Sequence, residues 1–290
     1  MTKTLTFVAS VFIISILLVK VSFAQFEFTD IGARPAALNG AFTSVSDNSF
    51  AIFYNPSGLG QLKFREVSFF YSPAPFGISE LSTTALTYAE PTKIGTFGLG
   101  IKSYGFDLYR ELTSVVSYGN NYRNKIYYGI NLNLYYLNIK NYNSASSFGV
   151  DLGAMAQITD FLKWGFFCKN LTGSKIGQSK ERIAQVFKTG FMFQARDDIK
   201  FILETEKDVK YPFSFKGAFE YSIFIPNAIS NLNSRIDLRA GVGSEPTNFS
   251  AGVGVFLGLF QVDYAFKKHQ DLGFTHQGTI TINFGGVEIK

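Results

Sequence analysis

The sequence predicts an all-β fold: a transmembrane antiparallel β-barrel of about 14 strands with an irregular, partly helical N-terminal hatch in the lumen. Three observations carry this prediction. Apolar and polar residues alternate with period two from residue 65 nearly to the end of the chain. The alternating segments run to about 9–12 residues, against a usual soluble length of about 5–6. The connections between them tend to alternate between tight and long, as membrane barrels do. Composition agrees: 32 Phe, 15 Tyr and 27 Gly stand against 8 Pro and 17% charged residues among 290. That is too polar for a helical membrane protein and fits a sheet that is wet on one face.

In chain order, residues 1–24 read as a cleaved signal segment. Lys3 supplies the positive start, residues 7–19 form an apolar core, and Ser22 and Ala24 are small residues at the cleavage positions. The other reading, a membrane anchor, needs about 20 apolar residues. Removing Lys3 and Lys20 lowers the net charge of +5 by two, too mild a balance to point to nucleic acid as a partner. The lone Cys168 has no intramolecular disulfide partner. Residues 25–63 form the hatch segment, and residues 64–290 form the barrel.

Fourteen strands are expected near 65–72, 81–89, 94–104, 110–119, 124–138, 146–158, 162–171, 184–195, 199–207, 214–224, 234–243, 247–256, 259–267 and 274–284. The fifth shows the logic best. In "KIYYGINLNLYY", Ile126, Tyr128, Ile130, Leu132, Leu134 and Tyr136 share one face, with Gly129, Asn131 and Asn133 on the other. Aliphatic residues at the centre and Tyr near the ends suit a face that crosses lipid, because amphipathic rings favour the two interfaces. The sixth strand sets Phe148, Val150, Leu152 and Ile158 against Gly149, Asp151 and Gly153. The tenth sets Phe215, Phe219 and Ile223 against Lys216 and Glu220, and the eleventh sets Ile236, Leu238 and Val242 against Arg235, Asp237 and Arg239. In the last, "FTHQGTITINF", Phe274, Ile280, Ile282 and Phe284 face outward.

The second face separates a barrel from a soluble sandwich, which would turn a Lys-, Glu- and Thr-rich face to water. Here it carries Gly, Asn, Ser and isolated charges of both signs, as a crowded lumen does. Tight connections are expected at 90–93, 120–123, 159–161, 197–198 and 257–258, and long ones at 73–80, 139–145, 172–183, 208–213 and 268–273. Two connections break the pattern: 225–232 reads as long where a tight turn belongs, and 243–246 as short where a long loop belongs.

The hatch segment does not alternate. Pro35 opens a short helix through Leu38, and Gly40, Asp47-Asn48 and Asn55-Pro56 break the chain into pieces. Phe42, Phe50, Ile52, Phe53 and Tyr54 need something to pack on, and the lumen offers it. The stretch "DIGARPAALNGAFTSVSDNSFAIFYNPSGLGQL", residues 30–62, resembles the N-terminal signature of the PorV/PorQ family, a branch of the FadL-like outer-membrane barrels. The matching positions are Gly32, Arg34, Pro35, Gly40, Asp47, Asn55, Pro56 and Gly58; Asn39 and Ser57 stand where that family commonly has Gly and Ala. The resemblance implies a non-enzymatic barrel in the bacterial outer membrane, in contact with its lipid, and serving as an accessory or docking barrel in type IX protein secretion. Secretion-system proteins or exported cargo would then be its partners. The alternative is a FadL-like passive transporter of small hydrophobic molecules such as fatty acids and hydrocarbons.

No catalytic or cofactor motif emerges. His269 and His276 lack the convergent ligands of a metal site, and no Ser–His pair can be assigned. The Gly-rich stretch at 95–100 lacks the helix of a phosphate cradle and reads as small lumen-facing positions that make room for another segment. The polar constellation that stands out is Lys216, Glu220, Arg235, Asp237 and Arg239 on adjacent strands. It is expected to form an ion-pair network holding the hatch, or alternatively a selectivity or docking surface.

Overall fold

In the computed structural model, which describes residues 26, 30–177, 180–229 and 232–286, fourteen antiparallel strands close into a barrel. The expected signal segment lies outside the described residues. The strands are β1 (Phe64–Ser72), β2 (Thr83–Thr92), β3 (Gly95–Phe106), β4 (Tyr109–Tyr122), β5 (Ile126–Ile139), β6 (Ala145–Thr159) and β7 (Leu162–Lys169). The second half comprises β8 (Val186–Arg196), β9 (Ile199–Asp208), β10 (Phe213–Ile229), β11 (Leu232–Ser244), β12 (Thr247–Leu257), β13 (Phe260–His269) and β14 (Gly273–Gly286). Each strand pairs with its neighbours in sequence, and β1 meets β14 at the seam, where Val67 lies opposite Ile282.

All fourteen expected strands form, and the alternation places their faces as expected. Ile126, Tyr128, Ile130, Leu132, Leu134 and Tyr136 all face out, while Asn131 and Asn133 are buried inside. The outer surface is therefore a continuous apolar wall, the surface a bilayer requires of a structure whose backbone groups are all paired. No helix among the described residues is long and apolar enough to cross a membrane.

Two sequence expectations need correction. The connection at 225–232 is not a long loop, because β10 and β11 continue through it to Ile229 and Leu232. Pro226 lacks an N–H to donate to the ladder, and a register shift between Ile225 and Ile229 absorbs it. Strand β7 stops at Lys169, short of the expected 171, and Asn170 begins a turn.

Strand β1 begins and β14 ends at one end of the barrel, here called the turn end, which also carries most of the tight turns. The longer loops lie at the other, the loop end, where the connections at 107–108 and 245–246 are nevertheless tight. Inside, residues 30–62 fold as helix α1 (Ala33–Ala37), helix α2 (Ala51–Tyr54) and a 3-10 turn (Pro56–Gln61). Pro35 sits near the start of α1, as expected. Segment 47–60, which lacks the length and caps of an ordinary helix, holds two single turns. Asn55 starts the second, its side-chain oxygen accepting from Ser57 N at 3.3 Å and Ser57 Oγ at 2.6 Å. Its amide group donates to Thr43 O and Ala154 O, tying the turn to the barrel wall. Phe42, Phe50, Ile52 and Tyr54 are fully buried in the lumen, with Phe42 and Tyr54 edge to face.

Candidate functional site

The hatch meets two different walls. Toward β3–β7 it presses against glycines. A Cβ built on Gly98 or Gly100 would lie 2.9 Å from Ile52, one on Gly165 would lie 2.7 Å from Ser44 Cα, and one on Gly129 or Gly153 would overlap the Asn55–Ser57 stretch. Real Cβ contacts are never this close, so the absent side chains are the space the hatch occupies. Asn131 reaches across this wall, donating to Ile52 O at 2.8 Å and to Asp151 at 3.0 Å.

Toward β8–β13 the hatch is held largely by charge. Arg34 of α1 pairs with Asp47 at 2.5 Å and with Glu220 at 2.8 Å. Glu220 is also paired with Arg239 at 2.7 Å and with Lys200 at 2.8 Å. Arg239 continues to Asp237 at 2.8 Å and Asp263 at 2.5 Å, and Arg235 also pairs with Asp237. Glu220, Arg235, Asp237 and Arg239 thus come together. Lys216 does not join them. It pairs with Glu206, which also takes Lys188 at 2.8 Å, nearer the loop end. Glu204 accepts from the hatch backbone at Thr43 N, and Lys267 pairs with Asp30 at 2.7 Å. Burial would raise the Asp47 carboxyl, but Arg34 and Lys200 outweigh it and hold it below the usual carboxylate range. Asp30 is lowered in the same way, with Lys267 and Lys216 outweighing its burial.

Of the motif residues, Gly32 and Gly40 have positive φ (95° and 76°), which a side chain would strain. Gly40 also lies against the Asp30 carboxylate. A Cβ on Gly58 would overlap Ser46, and Pro56 heads the 3-10 turn. Sequence reading set Asp263 and Lys267 on the polar face of their strand but did not single out Lys188, Lys200, Glu204 or Glu206. The signal was available for β9, where Lys200, Glu204 and Glu206 share one parity. The partnership of Arg34 with Glu220 spans 186 residues and has no local signature.

At the loop end the lumen is divided. On the β4–β7 side, Phe26, Tyr135, Leu137, Ile176 and Ile183 fill it, with the Phe26 and Tyr135 rings 5.1 Å apart. On the other side a cavity of about 640 Å³ stays open. Pro75, Phe76, Tyr104, Tyr211, Pro212 and Leu272 contribute its apolar walls, and Asp30, Lys267, Lys216 and Glu206, already joined in two ion pairs, contribute polar groups to its lining. His269 ends β13 rather than lying in a loop; its Nδ1 accepts from Asp271 N, and its ring stacks edge-on to Phe76. His276 is on the outer wall, and its Nδ1 lies 2.6 Å from the Tyr264 hydroxyl. Among the described residues no cluster of His, Cys, Asp and Glu has the grouping to hold a metal ion.

No protein-family model matches the chain, and no curated protein matches it in sequence. Solved structures do. The Pseudomonas putida toluene transporter TodX superimposes with a TM-score of 0.61 at 11% identity, covering 90% of this chain and 99% of that one. The Ralstonia pickettii toluene transporter TbuX gives 0.57 at 12%, with 89% and 98% covered, and a Pseudomonas aeruginosa FadL homologue gives 0.58 at 11%, with 90% and 100% covered. The property this chain shares with them is the fold.

Proposed function

We propose that the chain is a non-enzymatic outer-membrane barrel through which small hydrophobic molecules pass passively, entering at the loop-end cavity. The observation that carries this reading is the cavity itself. Its volume lies within the range of about 300–1,000 Å³ usual for small-molecule sites, and it joins apolar walls to a few convergent polar groups. It is open at the end that faces outward when the tight turns face the periplasm, as in outer-membrane barrels. Two of the structural neighbours are named as toluene transporters, which supports the same reading. The hatch lies across the lumen, so passage beyond the cavity requires either that it shift or that the ligand leave another way.

The test is uptake of toluene into liposomes carrying the purified protein. Faster uptake than in empty liposomes, slowed by Tyr211→Lys at the cavity wall, is the expected result. Equal uptake with and without protein would sink the proposal.

A second reading, an accessory barrel for type IX secretion, is favoured by one observation: the PorV/PorQ-like motif at residues 30–62. Crosslinking in cells separates the two readings. Capture of secretion-system proteins or exported cargo, together with no toluene uptake, would replace the first with the second.

A further inference from the structure

The lipid-facing wall of β12–β14 carries a feature that the lumen and cavity do not explain. Alternation sends Lys267 inward to Asp30, so Lys268 points outward, at the loop-end edge of β13. Its ammonium lies 5.5 Å from the Phe274 ring and 5.9 Å from the Phe249 ring, the residues directly opposite it on β14 and β12. Both rings are exposed. Phe274 also stacks on His276, their ring centres 6.4 Å apart, and His276 stacks on Tyr264. A cation, a histidine and four rings, with Phe266 beside Phe249 and Phe274, thus form one patch facing the bilayer.

Three other cations at the barrel ends have carboxylate partners. Arg65 pairs with Glu90, Arg110 with Asp107 and Arg196 with Asp198. Lys207 is the positional counterpart of Lys268, the last outward residue of β9, with its ammonium 5.3 Å from the Phe213 ring. It donates to the Tyr211 carbonyl of its own loop. Lys268 has no ion pair or hydrogen bond to another described residue. Two rings orient its ammonium, and its three donors remain available. If Tyr264 donates to His276 Nδ1, the imidazole keeps its hydrogen on Nε2 and gains a second outward donor.

We propose that this patch binds a phosphate of an outer-leaflet glycolipid, with Lys268 supplying the charge and His276 a hydrogen bond. The ligand is a lipid because the site surmounts the apolar row of Val262, Tyr264 and Ile280, where acyl chains lie, and it is anionic because no described residue supplies Lys268 with a counter-charge. The proposal rests on the outer-membrane reading and on the loop end facing outward.

Native mass spectrometry of the full protein, released from micelles containing bis-phosphorylated lipid A, tests it. The wild type is expected to retain lipid A and to retain dephosphorylated lipid A poorly. Lys268→Ala should lower retention about five-fold, as for the loss of one basic residue at a membrane surface. Lys268→Arg should keep it, and Lys207→Ala should leave it unchanged. Phe274→Leu gives a second variant that keeps the charge and removes one ring, and it should weaken retention. Equal retention by Lys268→Ala, or equal retention of the dephosphorylated lipid, overturns the proposal. Heat-modifiable gel mobility of the same samples reports the barrel separately: its absence in the wild type would sink the outer-membrane reading, whereas its presence with unchanged lipid retention would sink only the site.

Discussion

Strands β8–β13 meet the hatch largely with charged side chains, giving way to glycine only at Gly241, Gly243 and Gly252 beside residues 37–39; strands β3–β7 meet it largely with glycine. On the first wall Arg34, Glu220 and Arg239 form a buried chain of ion pairs running toward Asp237 and Asp263. On the second, Gly98, Gly129, Gly153 and Gly165 let the hatch come within van der Waals distance of the sheet. The two arrangements fail differently. A buried ion pair is directional and costs most when one partner is lost, because the other charge is stranded. A glycine contact has little direction and fails when volume is added.

The largest expected effect tests whether either wall is needed to block the lumen. Deleting residues 25–62 should raise single-channel conductance in planar bilayers from near zero to that of an open pore, and unchanged conductance would remove the hatch from the picture. Next comes the charged wall. Arg239→Met takes one partner from Glu220 and Asp237 and leaves Asp263 without its ion pair, and should cost about 3–5 kcal/mol in urea unfolding from lipid vesicles; a cost under about 1 kcal/mol would show that Arg34, Lys200 and Arg235 suffice. On the glycine wall, Gly129→Val should cost about 1–3 kcal/mol. Its signature is local: faster hydrogen exchange at residues 51–61, with residues 33–47 unaffected. Uniform loosening of both segments would mean the hatch moves as one body.

The smallest effect is with pH. The Asp47 and Asp30 carboxyls are lowered in the folded protein by Arg34 and Lys267, with Lys200 and Lys216 contributing. Their contribution is therefore complete above the unfolded value of about 3.8 and is lost as pH falls through the folded values. Hydrogen-exchange protection in the hatch, taken relative to the intrinsic rate at each pH, should hold steady from pH 7 to 5 and fall below pH 4 at residues 30–47. A fall first at residues 51–61 would reverse the assignment of the two walls.

The barrel was legible in the sequence because a strand between lipid and lumen must alternate, and every strand does so. Its least legible stretch was 225–232, where Pro226 and two Asn argue for a loop. Pairing on both sides of a register shift overrides that local preference. The hatch was legible as a segment that fails to alternate and needs burial. Its contacts were not. Arg34 and Glu220 were each singled out, one from a motif and one from a strand face, but nothing local links them. Only the folded hatch sets the guanidinium beside that carboxylate. The cavity was less legible still, since Phe76, Tyr211 and Leu272 come from separate loops whose conformations depend on one another.

Thirteen of the joints between neighbouring strands follow directly from chain connectivity, each pair being consecutive in sequence. The fourteenth, between β1 and β14, is held by pairing alone. It is also where the hatch makes a particular set of bonds. Ser49 N donates to Glu66 at 2.6 Å, and Ser49 Oγ lies 3.0 Å from Ser68 Oγ on β1. Ser68 then reaches Thr281 of β14 at 2.8 Å, and Ala33 N donates to Thr279 of the same strand at 2.8 Å. The segment inside the barrel therefore works as a clasp across its only unstitched edge, and whatever loosens it slackens the hoop as well as the stopper.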